Sequence, residues 1–265
     1  MNYAKCEHPG PKDPVRLAWS SWDGWTKGTF DFCAALVILL LTAPVLLLAA
    51  LLVKLTSRGP AFYTQKRLGR SGNVYTIYKL RTMQHECEKH SGPCWATQGD
   101  PRITPLGRFL RKSHIDELPQ LFNILRGEMS LVGPRPERPE FLGELTEALP
   151  LYRSRLNVRP GVTGLAQVQL PPDTDLASVR RKLAFDLYYV QNASSWMDFQ
   201  LILATALHLV RVPYGVLGKM IFLPADEKIE RAYRALALKT GVDSDAELAI
   251  CTESSELGAV EMVTL

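Results

Sequence analysis

Asp116 and Glu117 stand side by side in the stretch SHIDELPQLFNIL, with one residue between them and Pro119. Downstream, Leu118, Leu121, Phe122 and Leu125 recur at helical spacing, and Gly127 is suited to end the helix. Proline belongs in a first turn, where its missing N–H would be unpaired anyway, so the helix is expected to begin at about Ser113 to Asp116. Both acids then fall in or beside that turn. One reading is purely structural: Asp as N-cap and Glu in the first turn complement the helix macrodipole. The other is chemical. Unpaired N–H groups at a helix start hold anions and lower the pKa of a nearby carboxylate, a setting that serves catalysis.

Cations on stiff backbone surround this pair in sequence. Pro134 and Pro136 hold Arg135 between two restricted residues, so presenting its guanidinium costs the loop little entropy. In RPGVTGLAQV, Arg159 sits beside Pro160, Gly161 and Gly164, a turn where backbone can approach a ligand closely. Further upstream, AFYTQKRLGRSGNVYTIYKLRTM reads as two short strands around a turn at Gly69 to Asn73. Alternation puts Tyr75, Ile77, Lys79 and Arg81 on one face, either as the charged guard of an edge strand or as a phosphate clamp. His85, Cys87, His90 and Cys94 invite a zinc reading, but their spacing fits neither H-E-x-x-H nor a Cys/His finger, and the segment reads as a loop. There is no Walker loop, G-x-G-x-x-G or G-x-S-x-G motif.

The elements that must position these residues begin with one apolar run. From Cys33 to Val53 no residue is charged, and 21 residues at about 1.5 Å each match a bilayer core of about 30 Å. Pro44 sits mid-run, where it predicts a kink. Lys54, Arg58, Lys66, Arg67 and Arg70 follow the run without an acid, whereas the bases before it are diluted by acids. The C-terminal side is therefore the more cytoplasmic of the two. Physics leaves two geometries open: a kinked single span, or a helix that turns back at Pro44 with both ends in the cytoplasm.

Net charge is +4 over 265 residues, yet from Ala225 onward nine acids face four bases. The body is basic and favours phosphate-bearing partners, and the acidic end from Thr240 reads as disordered. Five scattered cysteines argue for a reducing compartment rather than a disulfide framework. PRITPLGRFLRKS predicts a short basic helix, Asp175 to Tyr189 another carrying Arg180, Arg181, Lys182 and Asp186, and Leu223 to Leu238 one more. WMDFQLILATALHLVRV is apolar but too short to span, which suits an interfacial or buried helix.

KLRTM, DPRITPLGRFLRKSHIDELPQLFNILRGEMSLVGPRPERPEF, RPGVTGLAQV and FDLYYVQNAS, in order over most of positions 30 to 215, resemble the bacterial sugar transferases. These are monotopic polyprenyl-phosphate phosphoglycosyl transferases. The resemblance implies an α+β, mostly helical fold with a re-entrant helix-break-helix, interfacial amphipathic helices and a small cytoplasmic catalytic domain containing a short β-hairpin. Its divisions would be a lead over 1–30, a membrane helix over 31–56 broken at Pro44, a catalytic domain over 57–223, and a helix plus acidic tail over 224–265. The chain would be the minimal form, without a four-span N-terminal module. The family commonly has Ser-Pro at the break, whereas Ala43-Pro44 here lacks the hydroxyl.

The implied reaction passes a sugar 1-phosphate from a UDP-sugar to undecaprenyl phosphate with release of UMP, as the initiating step of polysaccharide or glycoprotein glycan assembly. Asp116 would attack the β-phosphate, and Glu117, with Asp116, would hold Mg²⁺. Lys79, Arg81, Arg111 and Arg135 would contact phosphate or nucleotide, with Arg159 a weaker candidate. The implied site is the cytoplasmic face of the bacterial inner membrane. Membrane lipid is a partner and nucleic acid is not; homo-oligomers and downstream glycosyltransferases are left open. Two rivals are a single displacement in which the dyad only holds metal, and a silent membrane scaffold.

Overall fold

The computed structural model describes residues 25–85, 87, 99–173, 175–209 and 221–243. The lead before Trp25, His90 and Cys94 of the loop considered for zinc, and the acidic tail beyond Asp243 lie outside the described residues. Helix α1 (Lys27–Thr56) is longer than the uncharged run, and its helical backbone continues through Pro44 without interruption. The expected break is therefore not a break in helical conformation. Proline removes one hydrogen bond, and turns on either side keep theirs. The Thr42 hydroxyl donates to the Ile38 carbonyl at 2.7 Å, a back-bond of the kind that bends helices. Among the described residues, α1 is the one helix long and apolar enough to cross a membrane.

The buried positions of α1 are Lys27, Asp31, Ala35, Leu46, Ala49 and Val53. They fall on one face at helical spacing, and Leu40, Leu41, Leu47, Leu48 and Leu55 on the remaining surface are exposed. One stripe meets protein, with Ala34, Leu39 and Ala50 partly buried against the core; most of the remaining surface is apolar and exposed. Ala35 joins the main core, while Leu46, Ala49 and Val53 pack with Leu80 and Leu110 in a second cluster.

The hairpin forms as the turn signal predicts: β1 (Phe62–Leu68) pairs antiparallel with β2 (Val74–Leu80), Phe62 opposite Leu80 and Leu68 opposite Val74. Tyr75 and Ile77 point into the core. Helix α2 (Pro105–Lys112) starts with Pro105 in its first turn, and the Thr104 hydroxyl accepts the Gly107 N–H at 2.9 Å. Next, the expected single helix over the acidic pair is instead two pieces. Ile115–Glu117 form a 3-10 turn, entered through His114 at φ 54°, and α3 (Gln120–Leu125) begins only after Pro119. Gly127, at φ 74°, follows its end and supplies the left-handed residue of a helix stop.

A second sheet was not legible beforehand. β3 (Ser130–Val132) runs parallel to β4 (Gly161–Thr163), Ser130 opposite Gly161 and Val132 opposite Thr163. Strands of three residues are too short to show a period. The glycines expected to admit a ligand admit backbone instead. A Cβ on Gly161 would lie 2.1 Å from the Gly133 nitrogen, and one on Gly164 2.2 Å from the Gly133 oxygen.

Helices α4 (Leu142–Ala148) and α5 (Leu165–Gln169) lead to α6 (Leu176–Asn192), whose Val179, Leu183, Leu187 and Val190 fill the core. Asp175 and Ser178 form a capping box at its start. In α7 (Ser195–Leu209), Leu201 and Ala204 are buried while Trp196, Phe199 and Leu203 are exposed, so the short apolar helix expected here is buried on one side and open on the other. Helix α8 (Asp226–Thr240) packs Ile229, Tyr233 and Leu236 into the core, and Arg180 of α6 reaches Glu230 at 2.5 Å. The described residues are mostly helical with two small sheets.

Candidate active site

Neither acid of the pair caps a helix. The 3-10 turn is closed by backbone alone, Glu117 N–H to the His114 carbonyl and Leu118 N–H to the Ile115 carbonyl, each 3.2 Å. No side chain caps either the turn or α3. The capping part of the structural reading therefore falls, and both acids lie in the 3-10 turn itself.

Glu117 is instead the anion of a three-member cluster. Its Oε1 accepts from Lys79 Nζ at 2.7 Å and from Arg135 Nη2 at 2.9 Å. Burial works to raise its pKa, but the charges of Arg135 and Lys79 outweigh this and hold it well below the usual carboxylate range. Burial lowers the Lys79 pKa, with Glu117 opposing. The three side chains come from β2, the 3-10 turn and the Pro134–Pro136 loop, so the cluster ties three elements together.

Asp116 is the contrasting acid. It is 7% exposed, and its buried Oδ1 has no hydrogen-bond partner. Burial first and the Glu117 charge second push its pKa up, against the pull of Lys79, Arg111 and His114. Two adjacent carboxylates thus occupy opposite electrostatic environments. One is satisfied by cations, and the other is left with an uncommitted oxygen, a poor arrangement for stability and a good one for accepting an electrophile or a cation. Arg111 is anchored through Nε by the Thr82 hydroxyl at 2.9 Å.

Arg135 is 43% exposed at its side chain, yet its backbone is fixed from several sides. The Pro134 carbonyl accepts from Gly161 N–H at 2.9 Å, the Arg135 carbonyl from Arg155 Nη2 at 2.9 Å, the Pro136 carbonyl from Arg67 Nη1 at 3.1 Å and the Glu137 carbonyl from Leu68 N–H at 2.9 Å. Arg155 in turn gives Nη2 to Asp186 at 2.6 Å, with both side chains 2% exposed, and Nη1 to the Tyr152 hydroxyl at 2.9 Å. Arg155→Met would leave the Asp186 carboxylate buried without its cation. The expected cost is about 3–5 kcal/mol, read as a lowered melting temperature.

Of the residues expected at the site, Asp116, Glu117, Lys79 and Arg135 come together, with Arg111 close enough to act on Asp116. Arg81 does not join them. Its guanidinium donates to the Ser57 and Arg58 carbonyls and the Ser57 hydroxyl, at 2.7 to 3.0 Å. It lies past the end of β2, where strand alternation no longer governs its direction, and it serves the C-terminus of α1, whose last carbonyls need donors. Arg159 is also elsewhere, its guanidinium lying over Gly28 of α1. Arg67, Glu137, Tyr152, Arg155 and Asp186, which hold the Arg135 loop, were missed as positioning groups. A buried ion pair between residues 31 apart in sequence leaves no periodic signal.

The model of the bacterial sugar transferase family matches residues 22–212. The chain is 46% identical over 181 residues to a UDP-glucose:undecaprenyl-phosphate glucose-1-phosphate transferase of Caulobacter vibrioides, covering 68% of this chain and 67% of that protein. It is 45% identical over 184 residues to exopolysaccharide production protein PSS of Rhizobium leguminosarum bv. phaseoli, covering 68% and 92%. It is 41% identical over 179 residues to a UDP-N-acetylgalactosamine-undecaprenyl-phosphate N-acetylgalactosaminephosphotransferase of Aeromonas hydrophila, covering 68% of this chain. The chain spans 42% of the length of that last relative. The matched region takes in α1, both sheets, the acidic pair and every cation around it, and the chain belongs to the bacterial sugar transferase family.

Proposed function

We propose that the chain transfers a sugar 1-phosphate from a UDP-sugar to undecaprenyl phosphate, releasing UMP, through two displacements at Asp116. A carboxylate oxygen of Asp116 bonds to the β-phosphorus as the bond from that phosphorus to the bridging oxygen breaks, and UMP leaves with the bridging oxygen and its electron pair. A phosphate oxygen of undecaprenyl phosphate then attacks the same phosphorus, and the Asp116 carboxylate departs. The product is the lipid diphosphate sugar, and the enzyme is restored. The observation that carries this reading is the buried Asp116 oxygen without a partner, beside a Glu117 already satisfied by Lys79 and Arg135. The names of the relatives supply the substrate classes.

Exposed Arg135 meets the nucleotide phosphates, and Arg111 faces the transferring group from the Asp116 side. The donor set fits Mg²⁺, which takes hard oxygens from one or two carboxylates together with substrate phosphates. Asp116 and Glu117 would hold it, and when bound it would neutralise charge on the phosphoryl oxygens.

Re-entrance of α1 is part of the proposal, and its support is that both ends meet the same domain. Near the start, Lys27 pairs with Asp198, and the Leu131 N–H donates to Asp31 at 3.2 Å. At the end, Arg81 holds Ser57 and Arg58. A straight span of this length, about 45 Å, would put those ends on opposite sides of the membrane. Single cysteines at Thr29 and Thr56, both exposed, in a cysteine-free background should both resist an impermeant maleimide until the inner membrane is opened. Labelling of one alone from outside would restore the span.

The test of the reaction is UMP release from a panel of UDP-sugars with Mg²⁺ and undecaprenyl phosphate, joined to a search for a phosphosugar adduct on Asp116 formed without lipid. Release only with both substrates present and no adduct would favour direct displacement. A pH profile gives a further check. Asp116 has a raised pKa, so kcat/KM should fall on acidification at a pH above the ordinary aspartate value near 3.8. The sign for stability is opposite: the folded state holds this proton more tightly than the unfolded chain, so its protonation stabilises. Glu117, whose pKa is lowered, contributes stability above its usual 4.5 that is lost as pH falls further.

A further inference from the structure

We infer that the cavity at the start of α1 binds the phosphate of an anionic membrane phospholipid, at a site separate from the Asp116 centre. Lys27, Arg70, Asn157, Arg159 and Tyr189 line it, with no carboxylate in its wall. Lys27 is committed to Asp198, and Asp31 lies one turn along. With Lys27 paired to Asp198, the positive charge offered to a ligand is that of Arg159. Arg159 Nη2 would sit 3.4 Å from a Cβ on Gly28, over the first turn of a long helix, where a cation opposes the positive end of the macrodipole. No hydrogen bond or ion pair among the described residues engages that guanidinium. An anion in the cavity would offset both costs.

The surroundings point to lipid as the carrier of that anion. The Lys27–Asp198 pair docks the first turn of α1 on the first turn of α7. These two helix starts expose Trp25, Phe30, Phe32, Trp196 and Phe199, and Trp196 and Phe199 stack at 5.7 Å. Exposed aromatics at the head of an apolar helix mark the membrane–water interface, and basic pockets at that depth take lipid phosphates. None of Asp116, Glu117, Lys79, Arg111 and Arg135 lines this cavity.

The test uses delipidated, detergent-purified full chain titrated with dioctanoyl phosphatidylglycerol, dioctanoyl phosphatidylcholine, inorganic phosphate or undecaprenyl phosphate, reading melting temperature and bound lipid by native mass spectrometry. Phosphatidylglycerol should bind saturably and raise the melting temperature, with phosphatidylcholine and free phosphate at least tenfold weaker. Arg159→Gln should weaken phosphatidylglycerol about tenfold while keeping the lipid-free melting temperature, and Arg70→Gln in the hairpin turn should weaken it as well. Three results would overturn the assignment: equal binding by both variants and the parent, free phosphate matching the lipid, or displacement of phosphatidylglycerol by undecaprenyl phosphate at equal concentration.

Discussion

Asp116→Asn is expected to lose UMP release by about 10⁴-fold or more while the protein stays folded. An amide oxygen cannot form the acyl phosphate, and what remains is binding and charge stabilisation by Lys79, Arg111 and Arg135. The fold should tolerate the change because the 3-10 turn is closed by backbone bonds from Glu117 and Leu118 and asks nothing of the Asp116 side chain. The same substitution removes a buried carboxylate whose pKa is raised by burial and by Glu117. At pH 7 the variant should therefore melt higher than the parent, by about 2–4 °C for each kcal/mol recovered. Both quantities are read on one preparation. Retained turnover would sink the nucleophile assignment, and a lowered melting temperature would show that Asp116 holds structure.

Glu117→Ala should show the opposite combination, losing stability as well as activity. It leaves Lys79, 19% exposed, and Arg135, 43% exposed, without their shared anion. Breaking a buried pair from one side costs about 3–5 kcal/mol, and the exposure of Arg135 puts the expectation near about 3 kcal/mol. The double variant Lys79→Met with Glu117→Leu separates the two roles. Apolar replacement of a buried pair is often neutral, so the double variant, in which the half-exposed Arg135 alone still lacks its anion, should regain part of the melting temperature and none of the turnover. The coupling between the two positions follows from the cycle closed with the single variants Lys79→Met and Glu117→Leu. Recovery of activity along with stability would reduce the cluster to a packing device.

The neighbouring acids illustrate how far the sequence reaches. Their type, adjacency and position before Pro119 left capping and chemistry both open, and it was the family resemblance that singled out the pair and the Arg135 loop. Lys79 was legible from strand alternation, which ends with β2 at Leu80; Arg81, one residue beyond, escaped the rule and went to the end of α1. What was read as an N-cap became a separate turn, because His114 takes a left-handed conformation that no spacing rule announces.

By itself the sequence determined the apolar helix, the hairpin and the short apolar helix α7, since each rests on local periodicity, turn chemistry or residue type, and its motifs carried the resemblance that points to the acidic pair. Only the tertiary structure decided which acid is satisfied and which is left open. That difference comes from Lys79 and Arg135, 38 and 18 residues away, converging on one oxygen of Glu117. It also decided that Arg155 and Asp186 hold the Arg135 loop, and that both ends of α1 meet one domain. Burial and charge at a point depend on which distant segments share it, and that sharing is written in the fold.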